Sequence, residues 1–421
     1  MPLKRIVGPL PPVGFPSLDV GRNSKAYCVV SADYAEFTIG PARRRPPVAD
    51  PPCGLWRMIR IVIEEDHFLK IVPVVLDPAT PDGHRRAVAD FFAHDEPDFL
   101  GWCSRVQQRL PGLYPAEVIF AADEADLAAK IADADAVVVE SFRIGDAVLS
   151  AASRLAIVHK FGTITTNIDL AACARRGIAV TTLRRMVNVA VAEQACALML
   201  ALAKRIGEFN GVVEEAALRK AGLQVRPRQP RYIGYSNFAG ITGLKTLLGA
   251  TLGIVGFGEV GREVARRARA FEMEVVYFQR TPLAAAVERE LGSRYLPLDD
   301  LMVQADYIVV QLPSNDSTRG LIGHDALGRI KPGAVLIDVA RPELIDHDAL
   351  VGALQSGRLG GLGLDVLYSE PADPAEPLLR YRDRNVILMP HTAVAARANA
   401  LCDVETLCLN LWRAIAKERG P

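Results

Sequence analysis

A chain of 421 residues exceeds what one ordinary hydrophobic core accommodates, so two domains with a cleft between them are expected. Half of the residues are hydrophobic and 49 basic side chains balance 49 acidic ones, which excludes a disordered polyelectrolyte and offers no field for nucleic acid. The seven cysteines include no Cys-x-x-Cys pair, and no apolar run reaches the ~18 residues of a membrane span, so neither a disulfide scaffold nor a membrane partner is expected.

Ten of the 28 prolines precede residue 53, and residues 1–57 follow neither the helical nor the strand period, which predicts an irregular proline-rich extension. Its prolines at 9, 11, 12 and 16 interrupt any signal-peptide core, so a cytoplasmic protein is expected. Arg43, Arg44 and Arg45 stand between prolines and read as a solvated loop. Met58 directly precedes the first clear strand, which makes it the expected start of translation. β-Branched runs at 59–63, 118–120, 136–139, 155–159 and 179–181 then alternate with amphipathic stretches such as 124–132. That alternation predicts a parallel sheet. A long alanine-rich helix over 189–205, with residues 195–203 as its most apolar part, reads as a buried helix, and a polar, proline-interrupted connection follows at 219–236. A second α/β unit begins with a strand at 251–255, a helix ending near 271, and further strands at 275–278, 307–311, 335–339 and 362–366. The division predicted is an extension over 1–57, a first domain over 58–185 completed by 394–421, and a second domain over 186–393.

Between that opening strand and its helix stands Gly256-Phe257-Gly258-Glu259-Val260-Gly261. In this context each glycine has a mechanical task. Gly256 makes the tight turn, Gly258 lets the backbone approach a pyrophosphate, and Gly261 lets helix and strand pack closely, while free N–H groups and the helix dipole hold the phosphate charge. An NAD(P) cofactor is therefore expected. A site selective for NAD carries Asp or Glu about 20 residues further on, to accept from the ribose 2′-hydroxyl. Here that position is Gln279, followed by the donors Arg280 and Thr281, so NADP is favoured over NAD. Pro313, Thr318, Val339 and Ala340 complete the expected cofactor lining.

Oxidising an alcohol needs a base, a cation for the substrate's carboxylate and a fixed hydride acceptor. Three runs each put a polar residue just beyond a strand end: Asp338-Val-Ala-Arg341, Leu364-Asp365 leading to Glu370-Pro371, and Pro390-His391. Together with the glycine loop they resemble the D-isomer-specific 2-hydroxyacid dehydrogenases, which carry Ala-Arg-Gly, Leu-Asp-Val-x-x-x-Glu-Pro and Pro-His in this order. The resemblance covers roughly residues 59–415. It implies two doubly wound parallel-sheet domains, a Rossmann cofactor domain and a flavodoxin-like substrate domain, and an enzyme interconverting a 2-hydroxy acid and a 2-oxo acid. It further implies that Arg341 binds the substrate's carboxylate and 2-oxygen, that His391 exchanges the hydroxyl proton, and that Glu370 orients the imidazole and favours its protonated form. Asp365 and the backbone at Ala340 would hold the nicotinamide carboxamide.

A fourth match is the run 159–169, similar to the family's Gly-x-Gly-x-Asp-Asn-Ile-Asp loop; it makes Gly162 and the amides of Thr163 and Ile164 the site for the substrate's carboxylate. Three departures stand out: Ile164 replaces a glycine, Thr166 an aspartate and Pro342 the glycine after the catalytic arginine. Proline at 342 favours an extended Arg341, which a strand end already provides. Val191-Ala192-Glu193 resembles the element through which members of the family form homodimers. The remaining histidines show no metal-ligand spacing, so no metal is expected. A nucleotide-sensing binding protein on the same fold is the second reading, and oxidation of a non-carboxylate such as phosphite the third; Glu370, where formate dehydrogenases place Gln, argues against formate.

Overall fold

The computed structural model describes residues 57–224 and 236–415. Residues 1–56 of the proline-rich extension, Arg43 to Arg45 among them, residues 225–235 of the polar connection and residues 416–421 lie outside the described residues.

The first β-branched runs become five strands, β1 (Ile59–Glu64), β2 (Ala116–Ala121), β3 (Ala136–Val139), β4 (Ile157–Lys160) and β5 (Ala179–Thr182), in the order β2-β1-β3-β4-β5 with every neighbouring pair parallel. Parallel strands need helical crossovers, which cover both faces and force apolar residues onto both sides. Along β1, Ile61 and Ile63 enter the core shared with helix Phe99–Gln108, while Val62 enters the opposite core with Leu127, Leu149 and Cys173. Three helices between β1 and β2, Ile71–Leu76, Asp82–Phe92 and Phe99–Gln108, were not anticipated from the sequence.

The second sheet holds β6 (Thr251–Val255), β7 (Glu274–Phe278), β8 (Ser293–Tyr295), β9 (Tyr307–Val310), β10 (Ala334–Asp338), β11 (Leu359–Leu364) and β12 (Val386–Leu388), all parallel, in the order β12-β11-β10-β9-β6-β7-β8. The fold is the doubly wound α/β arrangement expected. Chain direction across the sheet reverses between β6 and β9, and a ligand crevice opens at the carboxyl ends of such a pair.

The chain passes from one sheet to the other through helix Met186–Ala203. By length and composition this helix suffices to cross a membrane, a point the apolar-run criterion missed because Asn188, Glu193 and Gln194 interrupt the run without offsetting its many alanines, valines and leucines. Half of it is buried within the fold. It lies so close to β11 that a Cβ on Gly363 would stand 3.1 Å from Leu202 Cδ1 and 3.3 Å from Leu198 Cβ. Its N-terminus is held by Asp403, whose carboxylate accepts from the Met186 and Val187 amides at 2.7 and 3.2 Å. Asp403 belongs to the closing helix, Ala398–Ile415, which returns to the first sheet and puts Leu401, Val404, Leu407 and Leu411 into its core.

Candidate active site

The glycine loop follows β6 directly. Gly256 has φ +103°, a backbone open to glycine, and a Cβ there would lie 2.4 Å from the Gln311 carbonyl oxygen. Gly261, in helix Glu259–Ala270, would bring a Cβ within 2.3 Å of the Gly256 oxygen. At Gly258 a Cβ would meet nothing within 4 Å, so the backbone there faces open space. Two of the glycines are thus demanded by packing, and at the middle one the backbone is left open.

Because all seven strands are parallel, the residues after β7, β6, β9, β10, β11 and β12 share one edge in that spatial order. Gln279 and Arg280 lie on one side of the glycine loop, and Arg341, Glu370 and His391 on the other. A dinucleotide laid along this edge would place its adenosine near β7 and its nicotinamide near β10 to β12. Gln279 folds back, its Nε2 donating to the Thr281 carbonyl at 2.6 Å, while Arg280 is exposed. Thr318 Oγ1 donates to the Pro313 carbonyl at 2.6 Å and closes the turn after β9. Ala340 N–H donates to Asp338 Oδ1 at 2.8 Å, behind buried Val339.

His391 Nδ1 lies 2.9 Å from Glu370 Oε2. Facing a carboxylate, Nδ1 is the donor in this contact, which leaves Nε2 to serve a ligand. Burial raises the Glu370 carboxyl, but hydrogen bonds from His391 and from the Leu367 amide hold it below the ordinary glutamate range. The two side chains are 41% and 42% exposed, open enough to meet a ligand. His391 itself has φ +53°, a costly conformation for a residue with a Cβ. Arg341 has an extended backbone (φ −148°, ψ 133°) as Pro342 requires, and its guanidinium is solvent-exposed.

Asp365 is placed differently from expectation. Its carboxylate is 0% exposed and accepts from Thr392 N–H at 3.0 Å, Thr392 Oγ1 at 3.2 Å, Ala393 N–H at 2.8 Å and Gln194 Nε2 at 3.1 Å. With those donors it fixes the turn that carries His391. A carboxamide contact finds no exposed face on it.

On the first sheet, the turn after β4 presents the Thr163 and Ile164 amides side by side. Both donate to Oε1 of Glu259, each at 2.7 Å. Glu259, read from the sequence as part of the cofactor lining, therefore sends its side chain across to the other sheet. Beside this turn Lys160 is buried, its Nζ donating to the Glu140 carbonyl, and burial lowers its pKa against the opposing pull of Glu259.

A family model described as "D-isomer specific 2-hydroxyacid dehydrogenase, NAD binding domain" matches residues 196–393. The glyoxylate reductase of Pyrococcus furiosus is 35% identical over 292 residues, 69% of this chain and 81% of that protein. The chain belongs to the D-isomer specific 2-hydroxyacid dehydrogenases. The glyoxylate reductase of Aeropyrum pernix is 36% identical over 259 residues, covering 62% of this chain and 73% of its own. The PH0520 protein of Pyrococcus horikoshii shares the fold, with a TM-score of 0.50 at 23% identity over 83% of this chain and 91% of that one. This 2-hydroxyacid dehydrogenase is accordingly an oxidoreductase linked to a nicotinamide cofactor and acting on 2-hydroxy or 2-oxo acids.

Its crevice fits such a cofactor on two observations: the open backbone at Gly258, and Gln311 Nε2, which is buried at the end of β9 without a hydrogen-bond partner. Gln311 and Lys160 escaped the reading of the 2-hydroxyacid dehydrogenase motifs. Gln311 carries a detectable signal, since it follows the strand next to the glycine loop; Lys160 carries none beyond its place at the end of β4. Among the described residues no three His, Cys, Asp or Glu side chains gather as a metal set.

Proposed function

We propose that this enzyme reduces short 2-oxo acids, glyoxylate foremost, and favours NADPH over NADH. The observation that carries the reading is the His391–Glu370 contact at 2.9 Å on the edge that also bears the glycine loop and Arg341. The short substrate follows from the relatives at 34–36% identity that are named glyoxylate reductases. NADPH follows from Gln279, which presents no carboxylate to repel a 2′-phosphate, and from the exposed donor Arg280 beside it.

When bound, the cofactor supplies the hydride. Arg341 takes the carboxylate and 2-oxygen of the substrate, a cation matched in charge and fork geometry. His391 donates its Nε2 proton to the oxygen on which negative charge develops. Glu370 keeps Nδ1 occupied, so that the other nitrogen faces substrate. Thr163 and Ile164 amides hold the far side of the carboxylate, and the approach of residues 58–185 with 394–421 toward residues 186–393 excludes water. The same reading makes the protein a homodimer through helix Met186–Ala203, which sedimentation checks.

The test is oxidation of NADPH and NADH, followed by absorbance, against glyoxylate, hydroxypyruvate, pyruvate, phenylpyruvate and branched 2-oxo acids. Turnover of glyoxylate with a preference for NADPH is expected. Cofactor binding with no turnover of any of them would instead favour a nucleotide-sensing protein. If Arg280 reads the 2′-phosphate, Arg280→Ala weakens NADPH far more than NADH; equal losses reject that role.

A further inference from the structure

The two amides after β4 make a site for one carboxylate, and Glu259 supplies one. Thr163 N–H and Ile164 N–H converge on Oε1 at 2.7 Å each, and the Thr163 hydroxyl donates to Oε2 at 2.7 Å. The approach is tight: a Cβ on Gly162 would stand 2.9 Å from Glu259 Oε1 and 3.3 Å from Lys160 Cε. Glu259 is the first residue of the glycine-loop helix, so the contact ties the cofactor sheet to the substrate loop of the other sheet across the cleft. Successive amides converging on one oxyanion, with a buried cation alongside, form the same recognition unit whichever carboxylate fills it. Two carboxylates do not share it.

We infer that Glu259 is a built-in competitor for the substrate's carboxylate, latching the cleft through the Thr163–Ile164 amides until a 2-oxo acid displaces it. This rests on the reading that those amides hold the substrate's carboxylate. Competition acts on the part every 2-oxo acid shares, so the latch raises KM by one common factor across substrates. A residue that reads the substrate's side chain would instead change their ranking.

The experiment compares wild type with Glu259→Ala and Glu259→Gln, the second variant keeping the side chain's shape should the first fold poorly. Hydrogen exchange of residues 161–168 reads the contact itself, and calorimetric titration of oxalate at saturating NADPH reads the amide site without requiring turnover. Expected are faster exchange over 161–168 in Glu259→Ala and, to a smaller extent because the amide oxygen still accepts, in Glu259→Gln, oxalate affinity in Glu259→Ala tighter by roughly tenfold, and KM values lowered in common proportion with kcat not raised. Unchanged exchange overturns the latch, because the contact then protects nothing. Faster exchange with oxalate affinity unchanged or weakened overturns the competition. If no 2-oxo acid turns over in wild type but oxalate still binds more tightly to the variants, the proposed substrate fails while the latch stands.

Discussion

Glu263 grips Arg184 through two parallel hydrogen bonds, from Nε to Oε1 at 2.8 Å and from Nη2 to Oε2 at 2.7 Å. The pair fastens the turn after β5 to the glycine-loop helix, and Arg266 and Arg267 reach the same carboxylate at 2.6 and 2.8 Å. Only 5% of the Glu263 side chain is exposed.

Burial raises the Glu263 carboxyl, hydrogen bonds from Arg184 and Arg267 outweigh it, and the result is about 2 against 4.5 for an ordinary glutamate. A carboxyl lowered by folding stabilises the protein above its unfolded value and loses that contribution as pH falls from there through its folded one. Glu263→Gln should therefore cost about 2 kcal/mol near neutrality, less than a fully buried pair because its arginines are partly solvated, and the difference should shrink toward pH 2. Urea unfolding of both proteins across that range checks this; a constant difference would assign the effect to packing.

Asp338 works in the opposite sense. It is 1% exposed, and burial pushes its carboxyl up to about 7 despite the Ala340 amide and Arg341. Between about 4, where the unfolded group ionises, and 7, the folded state binds the extra proton, so stability falls as pH rises. Asp338→Asn keeps an acceptor for the Ala340 amide and removes the titration. Its melting temperature relative to wild type should be higher at pH 8 than at pH 5; parallel profiles would refute the assignment.

Removing the anchor of the catalytic turn should separate chemistry from binding. Asp365→Ala strands the Thr392, Ala393 and Gln194 donors at a cost of about 1–3 kcal/mol for each that water does not reach. His391 then loses its fixed place, and turnover should drop on the order of 10²-fold, the scale of a displacement of about 1 Å. Fluorescence titration should find NADPH affinity largely retained. A parallel collapse of cofactor binding would mean that Asp365 acts on the nicotinamide after all.

His391→Ala removes the proton donor and should lower kcat by ~10²–10⁴-fold with NADPH binding intact. Glu370→Gln leaves an acceptor for Nδ1 but no charge, so a smaller loss is expected, with the pH profile of kcat displaced. Steady-state rates between pH 5 and 9 distinguish the two, and a fully active His391→Ala enzyme would end this account of the proton.

The features legible in the sequence were those whose cause is local. Gly256, Gly258 and Gly261 follow from a strand, a turn and a helix within a dozen residues, and Arg341, Glu370 and His391 stand out because each follows the end of a strand in a sheet whose strands all run one way. What escaped depends on distance along the chain. Gln194 meets Asp365 across 171 positions and Glu259 meets Ile164 across 95. Neither pairing leaves a spacing to read, so from sequence alone Asp365 reads as a cofactor ligand and Glu259 as part of the phosphate turn. The apolar length of helix Met186–Ala203 was likewise underestimated, because sparse polar residues break a run without making a helix polar.

The return of the closing helix to the first sheet sets the order in which the two halves are completed during synthesis. The strands of the first sheet leave the ribosome before those of the second, but Leu401, Val404, Leu407 and Leu411 belong to their core and emerge only after β12. The second sheet has no such debt to the end of the chain, since β12 closes it at Leu388. The half made first is therefore finished last, and until Asp403 caps helix Met186–Ala203 the face of β4 that the closing helix covers stays open.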